Sequence, residues 1–167
     1  MSDSASKNEE GSQFLSFFLK NERFAINVAH VKEIIEYTQI TCVPMMQNFL
    51  AGVTNIRGNV IPVIDLSARL GMELSNICKK SCIITVEMNI DDTKTEIGLI
   101  VDMVDQVYDI KAEHKMQAPE FGTKIRKEFM QMMARVEDKF ITILDVSGVL
   151  ELSEISKIRQ KKSCKGA

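Results

Sequence analysis

Asp102 and Asp105 offer a carboxylate pair of the kind that general acid–base chemistry uses. They are also the polar positions between Val101, Val104 and Val107, and that plainer reading is preferred. Cys78 and Cys82 resemble half of a metal site, but a complete site needs further ligands. The sequence has only two histidines, His30 and His114, far apart, so no second half is visible. Neither histidine has a nucleophile at a catalytic spacing, and His30 sits beside an apolar face. No Gly-rich phosphate loop, no metal-spaced His pair and no Gly-x-Ser-x-Gly elbow occurs. The expectation is a protein that is not an enzyme and that carries no metal and no cofactor.

Arg57 stands apart from these groups. It lies between Ile56 and Gly58, at the tip of an expected hairpin in an otherwise apolar stretch. Arginine combines a flat apolar face with a five-donor fork, and it is enriched where proteins bind each other. Ten methionines allow either adaptable partner surfaces or ordinary packing, and Met130, Met132 and Met133 are read as core or interface fillers. The Lys-rich end from Lys157 to Lys165 reads as a solvated tail.

These residues must be positioned by a folded body. Of the 167 residues, 45% are hydrophobic, enough for a sizeable core in one domain or two small ones. The net charge is −2 and Trp is absent, so neither the phosphate neutralisation nor the base stacking of a nucleic-acid binder is well supplied. No apolar run approaches the roughly 20 residues that span a bilayer. The polar start, Met1 to Gly11, lacks the pattern of a secretory signal, so a cytoplasmic location is expected. In that compartment Cys42, Cys78, Cys82 and Cys164 are expected as free thiols.

Short apolar runs bounded by turn residues dominate. Phe14 to Leu19 and Phe24 to Val28 read as a hairpin across Asn21-Glu22. Val28, Val31, Ile34 and Ile35 fall at helical spacing and suggest a short helix or turn. Val53 to Ile56 and Val60 to Ile64 read as a second hairpin, with Gly58 and Asn59 tolerating φ > 0. Pro62 suggests an edge strand or a bulge there. Asp65 reads as the N-cap of a short helix that Gly71 stops. Ser81 to Met88 and Thr95 to Val101 form a hairpin across a rather long polar loop, Asn89 to Lys94. Val104, Val107 and Ile110 follow in a mixed pattern, and Lys111 to Lys127 is the least regular interior stretch. Phe140 to Leu144 is a strand after the turn Glu137-Asp138-Lys139. Residues 1–12 read as a disordered tail, 13–152 as the folded part, and 153–167 as the end of a terminal helix (Glu151 to Gln160) and a basic tail.

The two halves resemble each other. The stretch from Asn59 to Leu70, with Asp65 and Ser67, recurs from Lys139 to Leu150, with Asp145 and Ser147, 80 residues later. Phe24 to Val28 matches Ile97 to Val101 at an offset of 73, as Val31 matches Val104 and Ile34 matches Val107. Phe14 to Phe17 matches Ile83 to Val86 at an offset of 69. The offset grows in order, as loop insertions make it grow. The fold expected is all-β: two similar barrels of about five strands, packed together with a groove between them.

The segment Gly52-Val-Thr-Asn-Ile-Arg-Gly-Asn-Val-Ile-Pro-Val-Ile-Asp-Leu66 resembles the signature of the CheW family of chemotaxis coupling proteins. Phe24-Ala-Ile26 with Val31-Lys-Glu33-Ile34, Ile97-Gly-Leu-Ile-Val-Asp102 and Pro119-Glu-Phe121 agree with it, so the resemblance covers about residues 13 to 152. It implies two intertwined, five-stranded barrels resembling SH3 domains. It implies an adaptor that bridges methyl-accepting chemoreceptors to the regulatory domain of the histidine kinase CheA. Motif matching places Val31, Glu33, Gly52, Arg57, Gly98, Val104 and Val107 at or supporting a receptor contact in the inter-barrel groove. In this reading Val31, Val104 and Val107 form an apolar floor, and Glu33 and Arg57 stand near its rim. The kinase-contact residues stay unassigned. The rivals are a CheW-like scaffold for a non-chemotaxis kinase pathway, an oligonucleotide-binding barrel pair, and a hydrolase using Asp102 and Asp105.

Overall fold

The computed structural model describes residues 13–42, 49–90, 92–116 and 129–150. Its strands in chain order are β1 (Gln13–Leu19), β2 (Glu22–Asn27), β3 (Val31–Glu36), β4 (Leu50–Ile56), β5 (Asn59–Asp65) and β6 (Cys82–Ile90). Then follow β7 (Thr93–Val101), β8 (Met103–Asp109), β9 (Lys115–Met116), β10 (Met130–Val136) and β11 (Lys139–Leu144). Two one-turn helices, α1 (Leu66–Arg69) and α2 (Val146–Val149), follow β5 and β11.

The strands form two sheets, in the orders β8-β1-β2-β11-β10-β9 and β3-β6-β7-β5-β4. Aligned at the repeat offsets, the two orders coincide strand for strand, with β9 as a short addition to the first. Each sheet makes one five-stranded barrel, as the repeat predicts. Each barrel nevertheless takes its first two strands from one repeat and its other three from the other repeat. The joints are parallel: Phe24 and Ala25 of β2 pair with Thr142 and Ile143 of β11, and Val63 to Asp65 of β5 pair with Gly98 to Ile100 of β7. The chain path is therefore intertwined.

Alternation along the strands divides the core into three. Phe14, Ala25, Tyr108, Ile110, Ala134, Ile141 and Ile143 fill the first barrel. Val63, Ile83 and Ile100 fill the second. The opposite faces, carrying Leu15, Phe17, Phe24, Ile26, Ile84, Val86, Ile97 and Leu99, meet between the barrels in the largest cluster of all. Strands buried on both faces read as continuous apolar runs, which is why β1, β2 and β7 look as they do. Each large side chain fully buried there stabilises by about 1.5–3 kcal/mol, so the two barrels are joined as one body.

The hairpin tips are two-residue turns with both central residues at positive φ. Lys20 and Asn21 lie at 53° and 69°, Arg57 and Gly58 at 55° and 85°, and Glu137 and Asp138 at 53° and 64°. That is the turn whose twist suits antiparallel strands. The residues at positive φ in the second hairpin are thus Arg57 and Gly58, whereas Gly58 and Asn59 were expected. Asn59 already pairs with Ile56 in the ladder. The polar loop between β6 and β7 is likewise shorter than expected, since the ladder runs on to Ile90 and Thr93.

Two other expectations are corrected. Only Val28–His30 makes a helical turn, with the Asn27 side chain accepting from Ala29 N–H. Val31 to Glu36 is a strand, because its β-branched residues pair with β6. Pro62 is not on an edge, since β5 lies between β7 and β4. It faces Val53 in the register, the pair next to Thr54 and Ile61, and a non-hydrogen-bonded one, since Val53 bonds Thr41 through both its N–H and its carbonyl. The side of β5 away from β4 is the β7 side, and there the parallel ladder starts only at Val63, one residue past Pro62, so no ladder bond is lost. The bulge of this hairpin lies in β4, between Leu50 and Gly52.

Asp65 caps α1 as expected, accepting from Ala68 N–H, and Gly71 closes it at φ 94°. Asp145 caps α2 in the same way, through Ser147 and Gly148. The expected terminal helix, both tails and Pro119 to Phe121 lie outside the described residues.

Candidate functional site

The tip of the β4–β5 hairpin holds Arg57 at φ 55°, a conformation that costs a side-chain-bearing residue about 1–2 kcal/mol. The Asn55 side chain steadies the turn by accepting from Gly58 N–H at 2.9 Å. The Arg57 side chain is 79% exposed, and its guanidinium reaches the Glu33 carboxylate on β3 at 2.9 Å. Glu33 is only 18% exposed at its side chain. The fold thus joins two candidates that lie 24 residues apart in the chain, Glu33 on the edge strand β3 and Arg57 in the β4–β5 turn of the same sheet, and it leaves the arginine mostly exposed.

The other candidates separate into two kinds. Val31 on β3 and Val104 on β8 both pack, partly buried, against the core shared by the barrels. They are repeat equivalents, each on the edge strand of its own barrel. Val107, opposite Leu15, is 51% exposed. Gly52 and Gly98 are structural. A Cβ on Gly52, at φ 149°, would stand 2.1 Å from the Thr41 carbonyl, where Thr41 and Val53 exchange backbone bonds. A Cβ on Gly98 would meet the Ile83 side chain at 2.8 Å, inside the second barrel. Neither glycine presents a side chain to a partner; each keeps the strands next to the site in register.

A cavity of about 290 Å³ is lined by Phe18, Asn21, Cys78, Lys80, Asp102 and Met103, and by none of the seven candidates. Asp102 is tied down there: its Oδ2 accepts from Lys20 N–H at 2.8 Å, and its own N–H donates to the Phe18 carbonyl. Asp105 is an ion-pair partner of Arg23 and accepts from the Ser16 hydroxyl at 3.0 Å. The two carboxylates serve separate structural networks, Asp102 at the joint before β8 and Asp105 on β8 itself.

The remaining chemistry-bearing groups are also accounted for locally. His30 is half-buried at the end of its helical turn, and His114 accepts from Lys111 N–H through Nδ1 at 3.3 Å. Among the described residues no group of three or more His, Cys, Asp or Glu could hold a metal ion. Cys42, Cys78 and Cys82 are free thiols. Met132 packs against the first barrel's core, whereas Met116, opposite Met133, is 41% exposed.

Sequence reasoning passed over Arg69. It is 8% exposed, with its guanidinium 4.8 Å from the Phe49 ring and 4.9 Å from the Phe129 ring. Its Nε donates to the Val149 carbonyl at 2.7 Å. Phe49 and Phe129 are repeat equivalents, and their carbonyls accept from Asp65 and Asp145 N–H at 2.7 and 2.9 Å. The signal that was available was a lone arginine inside the repeated Asp-Leu-Ser-Ala-Arg-Leu segment, where the second copy has Val149.

Comparison with known proteins agrees with this architecture. A family model described as CheW-like domain matches residues 13–154. The chemotaxis protein CheW of Klebsiella aerogenes is 28% identical over 148 residues, covering 89% of this chain and 87% of the relative. CheW of Bacillus subtilis is 30% identical over 141 residues, covering 84% and 88%. Among solved structures, the scaffolding protein TtCheW of Thermoanaerobacter tengcongensis superposes with a TM-score of 0.75 at 33% identity, covering 86% of this chain and 95% of that one. The strand exchange, the paired barrels and the match along most of the chain converge, and the chain belongs to the CheW-like family of chemotaxis scaffold proteins.

Proposed function

We propose that this chain is a non-catalytic cytoplasmic adaptor that couples methyl-accepting chemoreceptors to the histidine kinase CheA in signalling arrays. What carries this reading is kinship with chemotaxis proteins along most of both chains. The geometry supplies a place for the receptor contact. Arg57 is held out on a rigid turn, is aimed by Glu33, and keeps donors free for an acidic or carbonyl-rich partner. Val31, Val104 and Val107 supply apolar area for the face of a helical receptor tip. Gly52 and Gly98 support the strands beneath. The regulatory domain of CheA binds another surface, and receptor state passes between the two sites as a coupling free energy.

The test is a pair of titrations of the full chain, against a receptor signalling fragment and against the CheA regulatory domain. The unaltered chain binds both. Arg57→Glu sets a carboxylate beside Glu33 and removes the fork. It weakens the receptor complex about thirtyfold or more, changes the CheA complex much less, and alters stability by only about 0.5 kcal/mol because the side chain is mostly exposed. Unchanged receptor affinity removes Arg57 from the contact. Loss of both affinities with a lowered melting temperature makes Arg57 a residue of the fold.

A further inference from the structure

Glu33 is held at its backbone as well as at its carboxylate. Val31 lies opposite Val86 and Glu33 opposite Thr85, so β3 carries one residue more than β6 over this step and bulges. A bulge re-aims the side chains beside it and interrupts the ladder. At this bulge the wholly buried Thr85 takes over: its hydroxyl accepts from Glu33 N–H at 3.1 Å and donates to the Glu33 carbonyl at 3.2 Å. A hydroxyl can donate and accept at once; the isosteric valine can do neither.

The other barrel repeats the device with a different outcome. There the buried Ser16 hydroxyl accepts from Gln106 N–H at 3.3 Å, again at a bulge, but its single proton is shared between the Gln106 carbonyl and the Asp105 carboxylate, both at 3.0 Å. Gln106 is the repeat equivalent of Glu33, and Glu137 that of Arg57, so the second pin aims no ion pair. One fold device has been put to use in one barrel only.

We infer that Thr85 is a positioning residue for the receptor contact: its hydroxyl fixes the backbone of Glu33 at the bulge and thereby aims the Arg57 guanidinium. This rests on the reading of Arg57 as a receptor-contact residue. Replacing the hydroxyl frees both backbone groups of Glu33, lets the bulge relax, and lets the carboxylate leave the arginine.

The experiment uses the full chain with Thr85→Val, Thr85→Ser, Glu33→Ala and the Thr85→Val/Glu33→Ala double variant. Each is titrated against a receptor signalling fragment and the CheA regulatory domain, and each is melted. Ile100→Val, a core change in the same barrel, serves as a control for general destabilisation. Thr85→Val weakens receptor binding about fivefold while Thr85→Ser stays within about twofold, and the double variant is no weaker than Glu33→Ala, since residues acting as one unit are not additive. CheA binding is unchanged throughout. Wild-type receptor affinity in Thr85→Val, an equal loss in Ile100→Val, or additive losses in the double variant overturns the inference. Should Thr85→Val not fold, Thr85→Cys, with its weak donor and acceptor, must fall between serine and Glu33→Ala; a folded cysteine or serine variant outside that order overturns it. Arg57→Glu run alongside separates the two claims. If it binds receptor normally, the receptor reading fails. If it is weakened and Thr85→Val is not, only the positioning role fails.

Discussion

At the scale of single residues, the β4–β5 tip shows how a turn and a site can share the same atoms. A two-residue turn of this kind favours Asn-Gly, yet Arg57 occupies the first position at φ 55°. The local rule is broken where a long cation on a rigid support is useful. Gly58 obeys it. Its φ is 85°, and a Cβ there would meet open space, so the whole penalty of a substitution is backbone strain. Gly58→Val therefore costs about 1–3 kcal/mol, read as a lower thermal midpoint, and an unchanged midpoint would refute this turn assignment. Cys78, which lines the cavity beside Asp102, and Cys82, at the start of β6, differ in the same local way. The Lys80 backbone N–H, and then the Ser81 hydroxyl, hold the exposed Cys78 thiol below its ordinary range. Burial, above all, pushes Cys82 up. The lower group is more thiolate at neutral pH and reacts faster. Limited alkylation followed by peptide mapping will find Cys78 modified first, and the preference narrows as pH rises above both thiols.

At the scale of elements, the connections dictate the exchange between barrels. Three residues, Val28 to His30, join β2 to β3, and Asp102 alone joins β7 to β8. The place beside β1 that β8 fills runs antiparallel to β1 and so parallel to β2. For β3 to take it, the chain would have to return along all of β2, about 20 Å at 3.3 Å per residue, with a connector that reaches about 10 Å. The strand is led into the other barrel instead. Cross-strand charges agree with that outcome. Arg23 on β2 pairs with Asp105 on β8, and at the equivalent positions the signs are reversed: Glu96 on β7 pairs with Lys32 on β3 at 3.4 Å, with Glu87 at 3.9 Å. Between two copies of the chain, where connectors impose no bar, β3 on β1 would set Lys32 against Arg23. Lys32→Glu in the single chain places a third carboxylate beside Glu87 and Glu96. It lowers stability by about 0.5–1 kcal/mol, since the pair is partly exposed, and adding Glu96→Lys restores most of it. Denaturant midpoints of the two variants measure this, and a double variant weaker than the single one would contradict it.

At the scale of the whole molecule, stability is concentrated between the barrels. The largest core cluster joins strands of both sheets, and Arg69 spans the repeats above it, stacked between equivalent phenylalanines and bonded to Val149. Truncation there removes stem packing and two cation–π contacts together. Arg69→Ala lowers stability by about 3 kcal/mol, whereas Arg69→Met, which keeps the volume, costs about half that. Both variants are expected to unfold in one transition, because neither barrel keeps its own strands if the other opens. Two separated transitions in calorimetry would show that the barrels are independent.

Much of this protein was legible in its residues. Alternation and turn residues marked the hairpins, the repeat marked two equivalent barrels, and Asp65, Gly71 and the tip position of Arg57 were read from local chemistry alone. Those features depend on neighbours a few residues apart, and such neighbours are always in contact. The exchange of strands, the meeting of Glu33 with Arg57, the Thr85 pin and the Arg69 bridge were decided only by tertiary structure. A period of two tells which face of a strand is buried, but not which strand or barrel buries it. The helical spacing of Val28 to Ile35 misled for the same reason: one turn obeyed it, and pairing with a strand some fifty residues away claimed the rest. The cavity beside Asp102 was not foreseen, because Cys78 and Lys80 reach it through a connection whose course no local pattern encodes.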